Sequence, residues 1–452
     1  MAKKSRKSKK TEKKATDTMI SMPVANPNAA GIDLGSKSHY VCVAQDNVKE
    51  FGVFTADLHA IARHLQEYEV KTVVMESTGF YWEQLYLLLL DYDFEVFLVN
   101  AKYVKNVKGH KTDVVDSKWL QLLHSLGILS NSFLPDAFTH EVRTYARHRK
   151  RLITSASRYL SKMNKILVLM NLHLSIVISD IAGVSGMKVI NAIISGETKP
   201  EALEKLVGLT VKADRKDILN ALTGDFRAEY IFELRHALEL YNFYLSKVAE
   251  TDLEIQTLLD ARVKEKPNVK CKKTKKNRND PSFDVVQYFA RETGVNIEEV
   301  EGIGPSLILT FASEIGTDLS KFPTAKHLAS FIGVAPNRRV TGGKEISSHT
   351  PKNSSNIKVA FRQAANSAGN SYGKLGDFFR RIAFRTNRQA AITATARKMA
   401  VIVWNMITKG EKYCYEYREG ELEYVRQKRV KNLIKSVKEN GITLEEIASA
   451  FS

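Results

Sequence analysis

Cysteine is scarce in this chain: 452 residues contain three, Cys42, Cys271 and Cys414. Their scatter gives neither a metal-ligand spacing nor a disulfide framework, which points to a reducing cytoplasm. Long apolar runs are missing too. The longest, around Leu85 to Leu90, is far shorter than the roughly 20 residues of a membrane-spanning helix, and no membrane segment is expected. Acidic residues are in deficit, 50 Asp and Glu against 68 Lys and Arg, for a net charge of +18. Such an excess favours a polyanionic partner, nucleic acid before an anionic membrane surface, with affinity that falls steeply with salt. The lysine-rich stretch Met1 to Lys14 has no apolar core behind it, so residues 1–25 read as a disordered basic tail rather than a signal peptide or anchor.

What is present begins with strand patterns. Ala29 to Gly35, His39 to Gln45 and Glu50 to Thr55 read as three strands joined by short polar turns, an antiparallel meander. A helix over Leu58 to Tyr68, a strand over Lys71 to Glu76, a helix over Tyr81 to Asp91 and a strand over Phe94 to Val99 follow, and a further helix opens at Asp113. This order, placed within residues 26–136, is that of an α/β ribonuclease-H-like fold, in which the first and fourth strands lie side by side.

Four acids stand out against that frame. Asp33 in Gly-Ile-Asp-Leu-Gly and Glu76 in Met-Glu-Ser-Thr-Gly each end an apolar run, and a buried strand rarely tolerates a lone carboxylate. Asp113 and Asp116, within Lys-Thr-Asp-Val-Val-Asp, are three apart at the start of a helix and share a face. Thr112 is the expected cap, and first-turn acids suit the helix dipole. Taken singly these are ordinary helix-start and strand-end residues. Together they are four carboxylates with a common destination, and hard divalent cations on such oxygen ligands perform phosphodiester chemistry.

From His140 to about Ile176, and again from Ala228 to Val263, long helical patterns are joined by a smaller helical segment between Asp180 and Asp225. Residues 137–262 are therefore expected to form an antiparallel helical hairpin or coiled coil used for dimerisation. Arg147 and Arg151 lie in a basic run there, readable either as a nucleic-acid face or as solvated surface. Residues 263–283, with Lys270, Lys272, Lys273, Lys275 and Lys276 among few apolar residues, read as a flexible basic loop. A mainly α domain is expected over 284–412. Its Val-Glu-Gly-Ile-Gly-Pro-Ser stretch at 300–306 resembles a helix-hairpin-helix turn that offers backbone amides to phosphate. A glycine-rich loop follows, Asn337 to Thr350, whose hydroxyls serve as nucleophile or phosphate donor beside Arg338, Arg339 and Lys344. Lys352, and Arg380 and Arg381 in Phe-Phe-Arg-Arg-Ile-Ala-Phe-Arg, complete the candidate DNA contacts. Residues 413–452 read as a charged helical tail.

Gly-Ile-Asp-Leu-Gly, Met-Glu-Ser-Thr-Gly and Lys-Thr-Asp-x-x-Asp resemble the DEDD transposases of insertion sequences, whose first domain is similar to the Holliday-junction resolvase RuvC. The later Val-Glu-Gly-Ile-Gly-Pro, Phe-Ile-Gly-Val-Ala-Pro and Thr-Gly-Gly-Lys-Glu-Ile stretches resemble the second domain of the same transposases. The resemblance implies an α/β RuvC-like domain, a coiled-coil middle and a mainly α transposase domain. It implies magnesium, as two ions, held by Asp33, Glu76, Asp113 and Asp116. It also implies a hydroxyl nucleophile that forms a covalent link to DNA, and a structured noncoding bridge RNA that pairs with donor and target DNA. The resemblance further implies a homo-oligomer, dimer or tetramer, associated with the nucleoid of a prokaryotic cytoplasm. Where the family has serine this chain has Thr341, with Ser347 and Ser348 as alternative nucleophiles. A metal-dependent endonuclease of the Holliday-junction resolvase type and an inactive nucleic-acid-binding copy remain the alternatives.

Overall fold

The computed structural model describes residues 23–44, 47–77, 79–100, 104, 112–208, 210–269, 271, 276–413, 423, 426, 427, 430, 431, 433, 434 and 437. Several sequence expectations lie outside these residues: the basic tail up to residue 22, Thr78 and Lys111 of the acidic motifs, Lys270, Lys272, Lys273 and Lys275, Cys414, and most of the C-terminal tail. The chain divides into two compact units, Met1–Leu134 and Pro135–Ser452.

In the first unit, β1 (Ala29–Leu34), β2 (His39–Ala44), β3 (Asn47–Phe51), β4 (Thr72–Glu76) and β5 (Glu95–Val99) form one sheet in the order β3-β2-β1-β4-β5. The first three strands are antiparallel, and β1, β4 and β5 run parallel. Successive strand residues face opposite sides, and β4 makes this visible. Val73 and Met75 join a core with Ile61, Leu65, Leu85 and Leu89 of α1 (Thr55–Glu67) and α2 (Trp82–Asp91). Val74 turns the other way, into a cluster with Leu120 of α3 (Asp113–Ser125). The sheet is thus covered on both faces, as a ribonuclease-H-like fold requires. α3 sits directly on β1: a Cβ on Gly31 would run into the backbone of Ser117 and Gln121, and Gln121 donates to the Ala29 carbonyl at 3.2 Å.

The third strand differs most from the sequence reading, starting at Asn47 rather than Glu50. β3 ends at Phe51 rather than running to Thr55. The Asp57 carboxylate accepts from the Phe54 backbone N–H at 3.1 Å, which starts α1 early and leaves Phe54 exposed.

The second unit is helical. α4 (Ala137–Leu169) opens on Asp136, whose carboxylate accepts from the Thr139 N–H, and it stops short of Ile176 because Asn171 adopts a left-handed conformation. Four short helices, α5 (Leu174–Val177), α6 (Val184–Ile194), α7 (Pro200–Glu204) and α8 (Arg215–Ala221), lead to α9 (Ala228–Val263). α9 packs antiparallel on α4: Tyr159 stacks on Tyr244 at 5.7 Å, and Arg149 reaches Asp252 at 2.5 Å. α10 (Val285–Thr293), α11 (Pro305–Glu314), α12 (Ala325–Ile332), α13 (Asn356–Ala368), α14 (Lys374–Arg385) and α15 (Arg388–Lys409) complete the unit. Between α12 and α13 the glycine-rich segment is not a loop but a β-hairpin, β6 (Arg339–Thr341) with β7 (Lys344–Ser347). Gly342 and Gly343, with φ of 55° and 77°, supply the two left-handed residues of its turn.

Candidate active site

Asp33 lies on β1, one step beyond the register pair Ile32 and Met75, so it stands level with Glu76 at the end of β4. The period of two that turns Gly31 toward α3 turns Asp33 the same way, and the period that turns Val74 toward α3 does so for Glu76. α3 presents its first turn, with Asp113 and Asp116, on that side. Thr112 caps it as expected, accepting from the Val115 N–H at 3.3 Å. The electrostatics record the convergence. Burial, followed by the charges of Asp113, Asp116 and Glu76, raises the Asp33 pKa from 3.8 to about 6 against a lowering hydrogen bond from the Leu34 backbone.

Four carboxylates offer the hard oxygen donors that suit a divalent ion. As the side chains stand, however, no group of three or more His, Cys, Asp or Glu among the described residues is gathered closely enough to hold a metal. The donor chemistry therefore fits, and the ligating geometry requires the acids to close further.

In the second unit Thr341 occupies the exposed tip of the β6–β7 hairpin, paired with Lys344 across the glycine turn. Val340 pairs with Glu345, and a bulge lets Arg339 face Ser347. Ser347 is half-buried, its hydroxyl accepting from the His349 N–H at 3.3 Å. Ser348 hydrogen-bonds Glu345, and that bond, with Arg338, holds the Glu345 carboxyl below its usual range.

The family profile described as Transposase, of the DEDD domain of IS110 elements, matches residues 30–171, and that described as Transposase IS116/IS110/IS902 family matches 295–377. The chain belongs to the IS110 family of transposases. Among curated proteins none matches it. The first profile spans all four acids of this transposase and the second spans the hairpin. A DEDD transposase uses divalent metal and acts on DNA, and no helix among the described residues is long and apolar enough to cross a membrane.

The candidate DNA-contacting cations fall into two groups. Arg147 forms a two-pronged pair with the buried Glu314 at 2.7 and 2.9 Å, where Arg143 also donates to the α11 C-terminal carbonyls of Ser313 and Glu314. Arg338 holds Glu345 at 2.5 Å, and Arg380 is tied to Asp377 and to the carbonyls of Gly369 and Ser371. Arg147, Arg338 and Arg380 are exposed despite their pairs, and Arg151, Arg339, Lys344, Lys352 and Arg381 lie exposed as well. The hairpin itself escaped the sequence reading, although Gly-Gly between strand-forming residues is its signature.

Proposed function

We propose that this transposase cuts and exchanges DNA strands through a covalent protein–DNA intermediate at Thr341, with Asp33, Glu76, Asp113 and Asp116 as the metal-holding acids. The observation that supports the acids' part is that Asp33 and Glu76 end neighbouring parallel strands on the face covered by α3, whose first turn carries Asp113 and Asp116, and that burial and these charges together raise the Asp33 carboxyl. Asp33, Glu76, Asp113 and Asp116 would hold a divalent ion, which would supply positive charge to the scissile phosphate and the departing oxygen. Thr341 Oγ1 attacks phosphorus, its proton passing to solvent or a neighbouring base, while one P–O bond to the DNA breaks and leaves a hydroxyl end. A second strand's hydroxyl then attacks the same phosphorus and returns Oγ1 to Thr341. The phosphoester is conserved throughout, so rejoining needs no nucleotide cofactor. Arg339 and Lys344 lie beside Thr341 on an exposed hairpin, which supports a part for them in neutralising the phosphate.

Magnesium, in two ions, and guidance by a structured noncoding bridge RNA that pairs with donor and target DNA are the finer parts of this proposal, supported by the family resemblance. So is assembly as a dimer or tetramer that combines the acidic domain of one subunit with the hairpin of another. The α4–α9 pair supplies a long helical surface for such association.

A covalent trap tests the reading. Protein co-expressed with the DNA flanking its gene, so that the RNA is present, is incubated with magnesium, donor DNA and target DNA, and adducts are mapped by mass spectrometry. An adduct on Thr341 supports the mechanism. One on Ser347 or Ser348 moves the nucleophile, and magnesium-dependent cleavage without an adduct assigns the chain to hydrolysis by activated water.

A further inference from the structure

α14 is built with its apolar side inward: Leu375 and Phe379 are buried. Its other rings are covered by cations. Arg381 lies 5.5 Å and Lys398 4.6 Å from the centre of Phe378, and Arg388 lies 5.8 Å from Phe379. Phe384, one residue before the helix ends, is the exception. It is 97% exposed and makes no ring contact among the described residues.

The position is a firm one. The Thr386 N–H bonds the Ile382 carbonyl at 2.9 Å, and Asn387 caps α15 by accepting from the Ala390 N–H at 2.9 Å. The ring therefore projects from a fixed corner between two helices. Arg381 precedes it by three residues, Arg385 follows it, and Arg388 opens α15 with its guanidinium held on the Asn366 side-chain oxygen at 2.8 Å. Asp377 is the only acid in the surrounding stretch 374–409, and Arg380 already neutralises it. A bare aromatic face with Arg381, Arg385 and Arg388 within four residues of it in sequence complements one kind of surface, an unpaired base between phosphates. A protein partner would not need the cations, and intact duplex hides the faces of its bases.

We propose that Phe384 is a stacking platform for an unpaired base of single-stranded DNA, with Arg381, Arg385 and Arg388 contacting the flanking phosphates. The polymer is named from membership of a transposase family, but the site is independent of the acids and of Thr341. It serves the strand that must leave the duplex for exchange to occur.

The test uses the full chain without magnesium, so that failure here is separable from failure of the catalytic reading. Affinity is measured for a labelled mixed-sequence single strand, its duplex, its ribonucleotide counterpart, and the same single strand with abasic sites. Because the ring is solvent-exposed, Phe384→Ala leaves the fold intact, which a thermal melt verifies. Phe384→Ala is expected to weaken the single strand about tenfold, to leave the duplex and the abasic strand within about twofold, and to be rescued by Phe384→Trp with fluorescence quenched on binding. Arg385→Ala is expected to weaken the base-containing and abasic strands alike and to lower the salt slope by about one. Unchanged single-strand binding by Phe384→Ala overturns the proposal. So does an equal loss on the abasic strand or the duplex, and a loss confined to the ribonucleotide strand assigns the platform to RNA instead.

Discussion

At Asp33 the fold maintains a charge arrangement that it does not itself neutralise. With its pKa raised from 3.8 to about 6, the folded protein keeps a proton through a window in which the unfolded chain has lost it. Without metal, the contribution of Asp33 to stability is therefore highest below pH 4, falls as the pH rises toward 6, and stays low above it. Asp33→Asn removes that penalty. In metal-free buffer the variant is expected to melt higher than wild type by a margin that widens from about pH 4 to about pH 7, while magnesium at pH 7 raises the melting temperature of wild type and not of the variant. A gap that does not change with pH would mean that the acids do not couple. The residue at the hairpin tip makes a second prediction. Thr341 carries a methyl group beside its hydroxyl, which crowds in-line attack, so Thr341→Ser is expected to accelerate adduct formation several-fold, roughly 1 kcal/mol of barrier. Thr341→Ala is expected to abolish the adduct while duplex binding persists.

Elements were legible in the sequence wherever one physical signal ruled. The 3.6-residue apolar period set α9 at Ala228–Val263, and the apolar runs ending in Asp33 and Glu76 set β1 and β4. Signals that act across long separations were not legible. Arg149 reads as one cation in a basic run, yet it is buried on Asp252, 103 residues away, and also donates to the Asn279 carbonyl, while Asp252 accepts from the Ser282 N–H. Nothing local marks that partnership. The same holds for Arg147 and Glu314. These pairs fasten α4 to α9 and α11, and breaking a buried pair leaves an uncompensated charge. Asp252→Ala is expected to lower the stability of the 135–452 unit by about 3–5 kcal/mol, read from chemical denaturation, whereas a surface pair such as Lys247 and Glu250 is expected to contribute less than about 1 kcal/mol.

Across the whole molecule the count of 68 Lys and Arg overstates what DNA can use, because a cation already bonded to a carboxylate releases few counterions when phosphate arrives. Arg147 on Glu314, Arg149 on Asp252, and Arg380 on Asp377 are engaged in this way, while Arg339 and Lys344 are exposed beside Thr341. Duplex affinity is expected to fall linearly in log–log form with salt, with a slope of about −0.9 per phosphate neutralised. Arg339→Ala and Lys344→Ala should each reduce that slope by about one without changing the melting temperature. Arg147→Ala should do the reverse, leaving the slope in place and lowering the melting temperature, because Glu314 loses its two-pronged partner. Titrations at several salt concentrations with all three variants separate the two classes. A slope that dropped with Arg147→Ala as much as with Arg339→Ala would mean that the Arg147–Glu314 pair opens on DNA, and that the basic run on α4 is a nucleic-acid face after all.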